Sequence, residues 1–212
     1  MDTSLPVVVL ISGDGSNLQA LLDAPAHGHD YRVVAVISNR ADAHGLERAM
    51  QRGIPTQVLN HADFACRDDY DNALMTLIDG FSPRLVVLAG FMRILTPGFT
   101  RHYAGHMLNI HPSLLPRFQG LQTHRRALEA GETEHGASVH FVAEELDGGP
   151  VIAQARVPIL ADDDEERLAA RVLTREHQLY PTVVEWFAQG RLRLNGDRVE
   201  LDGKALAKPV AI

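Results

Sequence analysis

The chain has 212 residues, 45% hydrophobic and 22% charged, with a formal net charge of −7 and a pI near 5.8. That length makes one large domain or at most two small ones, and the composition is that of an ordinary globular protein. An acidic balance argues against broad nucleic-acid contact, and no apolar run approaches the roughly 20 residues that cross a bilayer. Cys66 is the only cysteine, so no intrachain disulfide can form, which fits a reducing compartment. Apart from Arg67 its surroundings supply no activating group, and it reads as partly buried packing rather than as a nucleophile. Met1 to Pro6 contains Asp2 and no basic region, so no secretory leader is expected and the cytoplasm is the default location.

In chain order, 7–12 (VVVLIS) is a continuous β-branched run, as in a strand buried on both faces of a parallel sheet. Gly13-Asp14-Gly15-Ser16-Asn17 turns directly into LQALLDA, whose Leu18, Leu21 and Leu22 share one helical face. Strands are predicted at 32–38, 55–59 and 84–89, with helices at 45–52 and within 64–80. Repeated strand–helix order with short connections predicts an α/β fold, a Rossmann-like doubly wound, mostly parallel sheet. A fifth strand covers 107–110. Residues 113–124 are irregular, with Pro116 and Gly120 just after Pro112, and a short helix follows at 125–129. Longer strands are expected at 136–143 and 150–159, then a helix over 162–188 with acidic residues in its first turn, interrupted or restarted at Pro181. The final RLRLNGDRVELDG alternates around Asn195-Gly196, a hairpin signal that makes an antiparallel C-terminal extension. No repeat or linker divides the chain, which reads as a single domain over 1–212. Its parts are a phosphate-binding α/β half at about 1–104, a second half at about 105–190, and the hairpin at 191–212.

Chemistry concentrates in 105–152. Asn109 and His111 lie two apart, so on a strand both face one side, and Pro112 ends the regular pairing just beyond them. Asp147 follows the alternation of Ser138, His140 and Val142 and precedes two glycines. An amide, an imidazole and a carboxylate at strand ends are the parts that stabilise an oxyanion and move a proton. The competing reading is that polar residues simply collect where loops begin.

The glycine loop between the first strand and helix aims backbone amides at an anion, and the helix dipole adds to the field. Gly13 and Gly15 permit close approach, and Ser16 and Asn17 add side-chain donors. Leu18 stands where a dinucleotide fingerprint needs its third glycine, so a phosphate monoester suits the loop better. A tight turn without a ligand is the alternative, and Asp14 is unfavourable beside a dianion unless it points away. After the fourth strand, Phe91-Met92-Arg93-Ile94-Leu95 either lines a flat heteroaromatic ring or belongs to the core. His102, His106, His111, His124, His135 and His140 show no metal-ligand spacing, so no metal is expected. No Gly-x-Ser-x-Gly elbow exists for a serine hydrolase.

LNIHPSLLP, the run from Gly136 to Asp147 (GASVHFVAEELD) with its following glycines, and the N-terminal VVLISGDGSN together resemble the folate-dependent formyltransferases, from about Val7 to Phe187. Within that family the glycine loop and the absence of extra domains point to the branch that formylates glycinamide ribonucleotide in purine synthesis. The resemblance implies a formyltransferase fold, 10-formyltetrahydrofolate as cosubstrate without a metal, and Asn109, His111 and Asp147 as the catalytic set. It implies that Gly13, Asp14, Gly15, Ser16 and Asn17 hold the ribose 5′-phosphate and that Glu176, in TREHQLYP, contacts the ribonucleotide. It places the folate against Met92, Arg93, Ile94 and Leu95, against Ala143, Glu144, Glu145, Leu146 and Asp147, and beside Asn109, with Arg67 near its acidic tail. The expected partners are small molecules alone, with no nucleic acid and no membrane, and the protein is expected to be a monomer or weak homodimer. Three alternatives stay open: a formyltetrahydrofolate hydrolase, another formyltransferase on the same core such as the methionyl-tRNA enzyme, and a non-catalytic nucleotide-binding module. Relatives of the first kind carry an added N-terminal domain, and those of the second an added C-terminal one.

Overall fold

The computed structural model describes residues 4–24, 28 and 30–212. Asp2, read above for the absence of a leader, lies outside them. The chain falls into two compact units, Met1–Asn109 and Ile110–Ile212.

In the first unit β1 (Leu5–Ile11), α1 (Ser16–Asp23), β2 (Tyr31–Ser38), α2 (Gly45–Gln51) and β3 (Thr56–Val58) are followed by α3 (Arg67–Asp79), β4 (Leu85–Leu88), α4 (Pro97–His102) and β5 (Met107–His111). The last two residues of β5 belong to the second unit. The strands run in the order β3-β2-β1-β4-β5, each pair parallel. Winding proceeds outward from β1 to β3, then crosses back to β4 on the other side of β1. That reversal is where open α/β sheets place ligands, beyond the carboxyl ends of the two diverging strands. Val8, Val9, Leu10 and Ile11 are fully buried, each worth about 1.5–3 kcal/mol. The β-branched run therefore fixes β1 at the centre, as its lack of alternation predicts.

Two local readings change. Cys66 is exposed, and its Sγ accepts the Asp69 amide at 3.5 Å, so it caps α3 instead of packing. α4 was not predicted, although Thr96-Pro97 carries the signal: Thr96 Oγ1 accepts the Phe99 amide, and proline fits the first turn because its missing donor is not needed there.

The second unit contains α5 (Thr123–Glu129), β6 (Glu134–Phe141), β7 (Val151–Pro158), α6 (Glu165–Ala188) and the short strands β8 (Leu192–Asn195), β9 (Arg198–Leu201), β10 (Lys204–Ala205) and β11 (Val210–Ala211). β6 and β7 pair antiparallel, β11 adds parallel to β7, and β8, β9 and β10 form a separate antiparallel sheet. Gly149 opens the path into β7, because a Cβ there would run into the Phe141 carbonyl. α6 packs on β6 and β7 and continues through Pro181 without the expected interruption. Proline costs a helix about 3 kcal/mol, but Leu168, Val172, Leu179, Tyr180, Val183 and Val184 are all buried on this one, and their summed burial is larger.

Candidate active site

His111 ends β5 and is buried, and its Nδ1 lies 3.4 Å from Asp147 Oδ2. Asp147 sits in the turn between β6 and β7 with φ of 51°, a left-handed conformation that aspartate tolerates better than most side chains. Its carboxylate is 8% exposed and accepts the Gly120 amide at 2.9 Å, while its carbonyl accepts Gln119 Nε2 at 3.2 Å. The irregular 113–124 segment thus braces the carboxylate. His111 Nε2 lies 3.0 Å from the Phe118 carbonyl. Both ring nitrogens face oxygens that only accept, so the ring donates to each when both nitrogens carry protons. Asn109, half-buried, is two residues back on β5 and shares the side of the strand on which His111 lies.

His140 completes this cluster, a place that neither the strand pattern nor the metal-ligand spacing assigned to it. Its Nε2 lies 3.8 Å from Asp147 Oδ1, and its Nδ1 lies 2.9 Å from the Phe141 carbonyl. Burial holds it below the usual imidazole range, against the opposing pull of that carbonyl and of Asp147. The signal available was its position two residues after Ser138 on β6, a strand buried on both faces. At the other end of β6, His135 Nε2 lies 3.2 Å from His124 Nδ1, and burial followed by the neighbouring His124 pushes His135 down to about 4. No group of three or more His, Cys, Asp or Glu among the described residues is placed to hold a metal ion.

In the first unit the glycine loop forms the expected strand-to-helix turn. Gly15 has φ of 79°, and a Cβ there would lie 2.6 Å from Gly45 Cα, so both its conformation and its packing demand glycine. Gly13 meets nothing within 4 Å, and its carbonyl accepts the Gly45 amide at 3.1 Å. Gly13 and Asp14 are exposed, and Ser16 and Asn17 are half-buried at the start of α1. The Asp14 carboxylate is turned to Arg48, whose Nη2 reaches its two oxygens at 3.2 and 3.1 Å, and to His44 Nδ1 at 3.2 Å. Slight burial opposes ionisation of Asp14, but the bonds from Arg48 and His44 outweigh it and hold the group below the usual carboxylate range.

The segment after β4 is tied to the end of β1: Ser12 Oγ donates to Asn39 Oδ1 at 2.6 Å and accepts the Met92 amide at 2.8 Å. Phe91 and Leu95 are buried, whereas Met92 and Ile94 are exposed at 68% and 52%, which divides the stretch between core and open apolar surface. Arg93 stacks over Tyr70 at 5.6 Å, and buried Asp71 accepts the Thr96 amide at 2.6 Å. Arg67, also expected at the folate, is exposed at the first position of α3.

In the second unit Ala143 is half-buried, and Glu144, Glu145 and Leu146 are exposed in the turn that ends at Asp147. Glu176 is buried on α6, at 6% exposure, so it is not a solvated helix charge. No helix among the described residues is long and apolar enough to cross a membrane.

Residues 5–184 match the family described as formyl transferase. Over 201 residues the chain is 58% identical to the phosphoribosylglycinamide formyltransferase of Escherichia coli strain K12, covering 94% of this chain and 95% of that protein. The solved structure of the phosphoribosylglycinamide formyltransferase from Coxiella burnetii superposes with a TM-score of 0.95 at 55% identity, covering 98% and 99% of the two chains. That of a glycinamide ribonucleotide transformylase from Symbiobacterium toebii gives 0.91 at 44%, over 95% of each.

Proposed function

The chain belongs to the formyl transferase family, and we infer that it carries the formyl group of 10-formyltetrahydrofolate to the amine of glycinamide ribonucleotide in purine synthesis. The observation that carries the chemistry is the buried His111–Asp147 contact at the end of the strand that also bears Asn109.

In the reaction the ribonucleotide amine attacks the formyl carbon, and the carbonyl electrons move to oxygen. With Nδ1 turned to Asp147, His111 Nε2 is the ring's other donor, and it serves that oxygen in place of the Phe118 carbonyl that it faces at 3.0 Å. Asn109 supplies a second donor. Donors placed where charge develops lower the barrier more than donors equally good in the ground state. The carbon–N10 bond then breaks, and the proton lost by the amine ends on N10. Asp147 balances the charge of the doubly protonated ring through this exchange, and the Gly120 amide fixes the carboxylate's direction.

The remaining assignments rest on family likeness and local geometry. The amides of Gly13 to Asn17 take the ribose phosphate, the open apolar side chains of Met92 and Ile94 meet the pterin, and Arg67 faces the folate's acidic tail. Ala143 to Leu146 supply the turn beside the folate, and buried Glu176 meets the ribonucleotide. The protein works in the cytoplasm as a monomer or weak homodimer.

The test is the absorbance of the deformylated folate with and without glycinamide ribonucleotide. Transfer requires product only when the ribonucleotide is present. Release without it marks a hydrolase, and silence in both arms marks a binding module.

A further inference from the structure

An aspartate at the tip of a phosphate loop is electrostatically wrong for a dianionic ligand. The fold answers it from α2. Arg48 donates from Nη2 to both Asp14 oxygens and from Nε to the Asp14 carbonyl at 2.8 Å, and its Nη1 reaches Gln19 Oε1 at 3.5 Å. One guanidinium therefore holds the carboxylate, the backbone of the loop and the second turn of α1. The Gly45 amide closes on the Gly13 carbonyl beside it, and Gly15 leaves no room between loop and α2. His44 Nδ1 adds a third contact to the Asp14 carboxylate while its Nε2 faces Glu47 at 3.5 Å.

We propose that Arg48 is a specificity-determining positioning residue for the ribonucleotide phosphate: it cancels the Asp14 charge and fixes the loop, so that a loop carrying an aspartate still accepts a phosphate monoester. This rests on the phosphate reading given above. Its consequence is conditional. Loss of Arg48 is harmful because Asp14 is then a bare carboxylate beside a dianion, and it costs less where Asp14 is absent, namely only the few-fold gain that the unbalanced guanidinium brought. A residue that gripped the phosphate itself would be needed in both backgrounds.

The experiment is a double-mutant cycle on the full chain, reading the KM values of both substrates, kcat, and direct binding of the ribonucleotide by calorimetry at low ionic strength. Arg48→Met should raise the ribonucleotide KM about tenfold with kcat and folate KM retained. Asp14→Asn should lower the ribonucleotide KM a few-fold, since Arg48 is left unbalanced near the phosphate. The double variant should recover most of the loss, and the Arg48→Met effect should shrink as salt screens the exposed pair. Equal impairment of Arg48→Met and the double variant, or no effect of Arg48→Met, overturns the proposal. Thermal melts of all three exclude misfolding as the cause. Gly13→Val, whose new side chain enters open space, separates the two failures: if it leaves the ribonucleotide KM unchanged, the phosphate reading itself has failed.

Discussion

Asp147 lies 3.4 Å from His111 while its carboxylate also takes the Gly120 amide at 2.9 Å, so a single buried group both faces the imidazole and anchors the loop over it. Asp147→Asn keeps the size and one acceptor for Gly120 but removes the charge opposite His111. We expect kcat to fall by about 10²–10³, the scale of losing one oxyanion donor, with ribonucleotide affinity nearly intact. Asn109→Ala and His111→Ala should be comparably severe, and pairs of changes should fall well short of adding. Steady-state kinetics on variants shown to be folded decides it: wild-type kcat in Asp147→Asn means the carboxylate is scaffold.

The two glycines of the phosphate loop should respond differently. Gly15→Val strains a positive φ and drives into Gly45, so it should cost stability as well as affinity. A Cβ at Gly13 meets nothing within 4 Å, so Gly13→Val should raise the ribonucleotide KM while leaving the melting temperature within a few degrees. Matching losses of stability in both variants would contradict this division.

Asp71 acts on the segment after β4 through one buried bond, to the Thr96 amide. Asp71→Ala leaves that amide unpaired, at a cost of about 1–3 kcal/mol, and frees the end of the 91–96 stretch. The folate KM should rise several-fold more than the ribonucleotide KM. Equal rises would mean that the stretch serves both substrates or neither.

His135 supplies a pH dependence of stability. Its folded value is depressed from 6.5 to about 4, by burial first and by His124 next. Between those values the unfolded chain binds a proton that the native state refuses, so stability rises with pH across the window. The contribution is fully present above about 6.5 and is lost as pH falls toward about 4, on the order of 1–3 kcal/mol in all. Denaturant unfolding at pH 7.5 and 4.5 measures it as the difference between wild type and His135→Gln, and identical slopes for the two would refute it.

What the sequence determined by itself were the features that depend on near neighbours. The β-branched run of β1, the glycine turn into α1, the Asn-x-His pair on β5 and the β8–β9 hairpin, whose turn falls at Gly196-Asp197 one residue past the Asn195-Gly196 expected, are local patterns, because strand period, turn conformation and capping are set within a few residues. Where local rules were outvoted, packing did it. Pro181 stays helical because its helix buries a long apolar face, and β10 and β11 are two-residue strands with no pattern to read. Only the tertiary structure decided which distant groups meet: His140 with Asp147, Phe118 with His111, Asp71 with Thr96, and Arg48 with Asp14. Sequence shows that a charge is present near a loop. Its effect on a ligand depends on distance and on what else neutralises it, and those are set only when separate elements pack.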